Sequence, residues 1–167
     1  MLKPQDVLVL LRIVGEPAHW SFQELSRELG MSASEVHQAL KRAEESGLYE
    51  AKSRKVKKRA LLEFAIHGLR YAFPAKRLAR CRGIPTAHSA APLREQLVSD
   101  QDDCLVWPEP TGEQFGDAIE PLYRSAPMAA FRNPKLHRRL ALVDALRVGR
   151  AREREMAAKA LNEEFGP

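Results

Sequence analysis

Cysteine is scarce in this 167-residue chain. It has two, Cys81 and Cys104, where a small fold stapled by disulfides would carry several pairs. Long apolar runs are missing as well. The most apolar stretch, Asp6 to Val14, is less than half of the ~20 residues that a membrane-spanning helix needs. Met1-Leu2-Lys3-Pro4 leads straight into it, so no signal peptide is expected, and the chain reads as cytoplasmic with no membrane partner. No glycine-rich phosphate loop, internal repeat or low-complexity tract is present. Cys81, His88, Cys104, His67 and His137 show neither a CxxC nor an HxxxH spacing, so neither a metal nor another cofactor is expected. Two groups of residues are candidates for catalysis. His88 adjoins Ser89, and Asp100, Asp102 and Asp103 form an acidic group. Neighbours in sequence rarely face one another as base and nucleophile, so the chain is not expected to be an enzyme.

What is present is enough apolar content for a core, 44%, and an excess of positive charge. Lys and Arg number 27 against 22 Asp and Glu, a formal net charge of +5 with a pI near 9.4. That balance favours a polyanionic partner, and its distribution favours one more strongly. Lys52, Arg54, Lys55, Lys57, Lys58 and Arg59 fall in one short run. A second cluster holds Arg138, Arg139, Arg147, Arg150, Arg152 and Arg154. Arg147, Arg150 and Arg154 share a helix face. They are expected to pair on the surface with Asp144, Glu153 and Glu155, the alternative being phosphate or an acidic partner.

The stretch from Ser21 to Arg59 carries the most information. Ser21 with Glu24, and Ser32 with Glu35, each have the S-x-x-E spacing of a capping box. Two short amphipathic helices therefore begin there, joined by a turn at Gly30. The first should bury Phe22, Leu25 and Leu29; the second should bury Val36, Ala39, Leu40 and Ala43. Gly47 stands where a helix end favours positive φ. Trp20, just before the first cap, should staple onto Leu25 or add a short strand. ELSRELG, the turn Gly30-Met31-Ser32, SASEVHQALKRAEESGL and the basic segment behind them resemble the winged helix-turn-helix of bacterial transcription regulators, in the broad MarR-like sense.

That resemblance covers about the first 60 to 70 residues. It implies a mainly α fold with a small β wing, and it decides for helix over strand at Asp6 to Val14. The helix at 32–46 would be the recognition helix. Ser32, Ser34, His37, Gln38, Lys41 and Arg42, opposite Val36 and Leu40, would face double-stranded DNA. Residues 48 to 59 would form the wing, with Lys52, Arg54, Lys55, Lys57 and Lys58 against phosphates. The wing lacks an Asn-Gly or Asp-Gly turn, so a short or mobile hairpin is expected.

Beyond the wing, Ala60 to Phe73 reads as one helix, apolar over much of its circumference and stopped by Pro74. Residues 75 to 92 read as loop, punctuated by Gly83, Pro85 and Pro92. Cys104–Pro108 and Phe115–Ile119 read as short strands around a turn at Pro110-Thr111-Gly112. Asn133-Pro134 is an N-cap with proline behind it, opening a helix that Gly149 breaks or kinks. The expected organisation is a winged helix-turn-helix at 1–73, a loop-rich connection with short strands at 74–132, and C-terminal helices at 133–167 that form a homodimer. The function this implies is a dimeric repressor. The alternatives are an antitoxin-like or other protein-interaction module, and a sensor of a small-molecule effector bound among Tyr71, Phe73, Trp107, Phe115 and Tyr123.

Overall fold

A computed structural model describes residues 1–98 and 103–167. Asp100 and Asp102 of the acidic group lie outside the described residues. No described helix is long and apolar enough to cross a membrane. The fold is mainly α with two small sheets.

Helix α1 (Pro4–Ile13) begins with proline in its first turn, and its Asp6 carboxylate accepts the Lys3 backbone N–H at 2.8 Å. Val7, Leu8, Val9, Leu10 and Leu11 are all buried because α1 is packed between other helices, which explains an apolar run without helical periodicity. Helices α2 (Phe22–Leu29) and α3 (Ala33–Glu45) follow with both expected capping boxes formed. Strands β1 (Tyr49–Glu50) and β2 (Lys55–Val56) make an antiparallel hairpin of two residues each.

The next helix differs from its sequence reading. It is two pieces, α4 (Lys58–His67) and α5 (Leu69–Ala72), parted at Gly68. The Phe64 ring lies where a Cβ on residue 68 would stand, at 2.9 Å, so glycine permits the close turn. The largest difference follows. Residues 77–85, expected as loop, form the nine-residue strand β3 (Arg77–Pro85). It pairs antiparallel with both β4 (Leu105–Pro108) and β5 (Gln114–Ile119), and β4 pairs parallel with β5, closing a three-stranded barrel. Most of β3 is exposed, so it carries no alternation of apolar and polar residues. Gly83, which reads as loop punctuation, is a strand crossing: a Cβ there would lie 1.9 Å from the Trp107 carbonyl oxygen.

The last three helices are α6 (Ala126–Arg132), α7 (Pro134–Val148) and α8 (Ala151–Phe165). Asn133 caps α7 as expected, its side chain accepting the Leu136 N–H at 3.1 Å. Gly149 ends α7. Here too an expectation is corrected. Helix α7 is buried from Leu136 to Arg147 on nearly every face, packed by α1, α5, α6 and α8. Arg147 is therefore inside, not on a surface face with Arg150 and Arg154. Its Nη1 donates to Asp144 Oδ1 at 2.8 Å. Arg139 is 2% exposed and donates to the Leu11 carbonyl at 2.7 Å and to Glu164 at 3.3 Å, joining α7 to α1 and α8. One hydrophobic core runs from Val7 through Trp107 to Phe165.

Candidate nucleic-acid interface

Two reciprocal caps hold the N-termini of α2 and α3. Ser21 Oγ accepts the Glu24 N–H at 3.0 Å, and Ser32 Oγ accepts the Glu35 N–H at 3.1 Å. Glu35 in turn accepts the Ser32 N–H at 2.7 Å, and that bond holds its carboxyl below the usual range. The sign follows from the lowered pKa: this contribution is complete above the ordinary carboxylate range and is lost as pH falls through the folded-state value. Gly30 takes φ +63° at the turn and Gly47 φ +76° after α3, conformations that cost a side chain energy. Val36, Ala39, Leu40 and Ala43 face inward. Helical spacing then turns Ser32, Ser34, His37, Gln38 and Lys41 to solvent, and all five are exposed.

Arg42 departs from this pattern. Its Nε donates to Asp6 Oδ2 at 2.9 Å and its Nη2 to Asp6 Oδ1 at 2.7 Å, and the Asp6 side chain is fully buried. The bidentate bond raises the Arg42 pKa. Arg42 thus fastens α3 to α1. Arg42→Ala would leave a buried carboxylate without its cation, and a loss of about 3–5 kcal/mol is expected from urea unfolding. DNA affinity per folded molecule should change little, which separates this role from a phosphate contact.

Phe22, expected inside, is 38% exposed. Its ring stands edge-on to Trp20, centroids 5.9 Å apart, and to His37 at 5.5 Å. The Arg54 guanidinium lies 4.0 Å over the Trp20 ring and donates to the carbonyls of Trp20 at 2.6 Å and Ala18 at 3.3 Å. Trp20 therefore packs under the wing, neither stapled to Leu25 by these contacts nor paired as a strand. A ladder Arg54–Trp20–Phe22–His37 ties the wing to the outer face of α3. Arg54 also takes φ +55°, supplying the left-handed residue that the missing Asn-Gly would have given. Glu44 accepts the Ala51 N–H at 3.0 Å, anchoring the hairpin from the other side.

The wing is a short hairpin, its strands spanning 49 to 56 of the expected 48 to 59. Lys52, Lys55 and Lys57 are exposed around it. Lys58 opens α4, is half-buried, and donates to the Pro167 carbonyl at 3.3 Å. The fold brings together Ser32, Ser34, His37, Gln38 and Lys41 on one helix face and Lys52, Lys55 and Lys57 on the hairpin. It turns Arg42 and Arg54 to other partners.

The remaining candidates are dispersed. His88 Nε2 donates to the Asp103 carbonyl at 2.6 Å, while Ser89 Oγ accepts the Leu105 N–H at 2.8 Å, so the two do not face one another. His137 donates to the Pro85 carbonyl at 2.8 Å. Cys81 and Cys104 are free thiols, and among the described residues no three metal-ligating side chains are grouped. Of the five aromatics, Trp107 is in the core, Tyr71 and Phe115 are exposed, and Phe73 and Tyr123 share a cleft.

Comparison with curated proteins and with solved structures gives no match. A family model described as winged helix-turn-helix DNA-binding matches residues 10–48, less than a quarter of the chain, and it does not single out a MarR-like branch. The matched segment holds α2, the turn and capped α3: the N-terminal part of this chain has a winged helix-turn-helix fold and is similar there to that DNA-binding family.

Proposed function

We propose that the protein is a transcription regulator that represses by occupying DNA, with α3 in the major groove and the β1–β2 wing on the backbone. The observation that carries this is the outer face of α3. Ser34, Gln38 and Lys41 stand exposed there, while the helix is held rigidly by its cap and by the Arg42–Asp6 pair. Short donors and acceptors near the helix start suit base edges and nearby phosphates, and Lys41 further along suits a base edge or a phosphate. Lys52, Lys55 and Lys57 supply charge to phosphates, which adds affinity but little sequence information.

We infer a homodimer as well, because two recognition helices about 34–36 Å apart reach successive major grooves. Within Asn133–Phe165 the outer face of α8 is the surface that α7 leaves open. Its exposed residues include Arg152, Glu155, Lys159 and Glu163. Two copies antiparallel about a two-fold axis would set Arg152 against Glu163 and Glu155 against Lys159, a self-complementary pattern. Light scattering that finds only monomer at tens of micromolar would remove the dimer from this reading.

The wing tests the DNA reading itself. Alanine at Lys52, Lys55 and Lys57 should weaken binding nearly equally on all DNA sequences. It should flatten the plot of log affinity against log salt by roughly 0.9 per lost phosphate contact. Stability should hold, since exposed charges contribute little. Fluorescence anisotropy at several salt concentrations reads both quantities. An unchanged slope would free the run for a protein partner and favour the interaction-module reading.

A further inference from the structure

Helix α3 has two flanks as well as an outer face. At roughly 100° per residue, Ser34, Gln38 and Lys41 fall together on that face. His37 and Glu44 fall to one side of it, Glu35 and Arg42 to the other. The first side belongs to the wing: His37 meets the Phe22 ring, and Glu44 accepts the Ala51 N–H at 3.0 Å. The second side is met by residues from far along the chain. Arg42 is bound by Asp6, and Asp6 Oδ2 also accepts the Lys3 N–H at 2.8 Å, which sets the exposed Lys3 beside this flank. Glu35 Oε1 lies 3.9 Å from Arg124 Nη2, and the Arg124 side chain is 76% exposed. Neither Lys3 nor Arg124 belongs to the segment 10–48 that is similar to the DNA-binding family.

Arg124 is placed by its neighbours. Its guanidinium carbon lies 5.4 Å over the Tyr123 ring. The next residue, Ser125, donates its Oγ–H to the Leu29 carbonyl at 2.6 Å, and its Cβ stands 3.2 Å from where a Cβ on residue 30 would be. The loop before α6 is thus fastened to the turn between α2 and α3. At 3.9 Å the ion pair with Glu35 is longer than a hydrogen bond, so the exposed guanidinium is open to an outside acceptor. Glu35 does not bar an anion from this side. Its Oε2 accepts the Ser32 N–H at 2.7 Å, and its Oε1 faces Arg124.

A major groove is about 12 Å wide, and a helix with its side chains is about 10–12 Å across. Both flanks of a docked helix therefore come close to phosphates, one strand on each side. The wing offers Lys52, Lys55 and Lys57 to one strand. We propose that Lys3 and Arg124 bind phosphates of the other strand, so that α3 is clamped from both walls of the groove and the loop before α6 is part of the DNA interface. This inference rests on the DNA-binding reading of α3. Arg124 suits the place because a guanidinium fork engages two phosphate oxygens at once.

Anisotropy on the full chain at several salt concentrations tests the clamp with Lys3→Gln and Arg124→Gln. Each should lower the slope of log affinity against log salt by roughly 0.9, which amounts to about eightfold weaker binding at 0.1 M salt relative to 1 M. Arg124→Lys keeps the charge and should keep most of the slope. A control separates a phosphate contact from simple neutralisation of Glu35. Glu35→Gln retains the cap, since glutamine also completes a capping box. Arg124→Gln must cost the same in that background; if it is silent there, the arginine serves Glu35 and the proposal falls. Phosphate-ethylation interference then reads the side. With the wild type, ethylation on both walls of one major groove should block binding. The Lys3→Gln, Arg124→Gln double variant should become insensitive to one wall, and alanine at Lys52, Lys55 and Lys57 to the other. Unchanged slopes, or loss on the same wall as the wing, overturn the second contact alone. A wild type that binds no DNA overturns the reading of α3 itself.

Discussion

Asp144→Ala is expected to remove most of the folding stability of this protein. Asp144 sits in α7, 1% exposed, and receives Arg147, Thr86 and Trp107 at 2.7–2.8 Å. Burial pushes its carboxyl upward, and Arg147, Thr86 and Trp107 oppose that push. Truncation leaves an uncompensated guanidinium, a loss of about 3–5 kcal/mol. It also leaves two buried donors without an acceptor, about 1–3 kcal/mol each. Against a typical total of about 5–15 kcal/mol, the chain should be largely unfolded at physiological temperature. Thr86→Val and Trp107→Phe keep the ion pair, and each should lose far less. Urea unfolding followed by circular dichroism separates the cases. A cost for Asp144→Ala no greater than that of Thr86→Val would show that the three donors do not depend on this carboxylate.

The second large effect concerns DNA specificity. Gln38→Ala with Lys41→Ala should weaken binding to the best site by more than it weakens binding to random DNA. A good base contact discriminates by about 1–3 kcal/mol, roughly 5- to 150-fold. Both side chains are exposed on α3 and neither supports the core, so stability should hold. Anisotropy on a selected site and on a random duplex reads the difference. Equal losses on both would make these residues phosphate contacts, and specificity would then lie with Ser34 and His37 or with DNA shape.

The local units were legible in the residues alone. The S-x-x-E pairs at Ser21 and Ser32, the glycines at 30 and 47, and the inward stripe Val36, Ala39, Leu40 and Ala43 all act within a few residues. Signals of that range are legible because capping and helical periodicity are properties of neighbouring residues. The Asn133 cap, the break at Gly149 and the two strands after Cys104 were legible for the same reason. Features that depend on distant partners came from packing. Strand β3 exists because β4 and β5 pair with it on both sides, while its own exposed residues Arg77 to Arg80 carry no strand period. Arg42 and Arg54 look like their neighbours Lys41 and Lys55 in sequence. Only the buried Asp6, 36 residues before Arg42, and the Trp20 ring, far along the chain from Arg54, turn them away from solvent. Arg147, among the mixed charges and alanines of α7, reads as a surface residue. The fold buries α7 because Glu164, Thr86 and Trp107 arrive from other segments to match its arginines and its own Asp144, and a charge can leave water only where such partners are already in place.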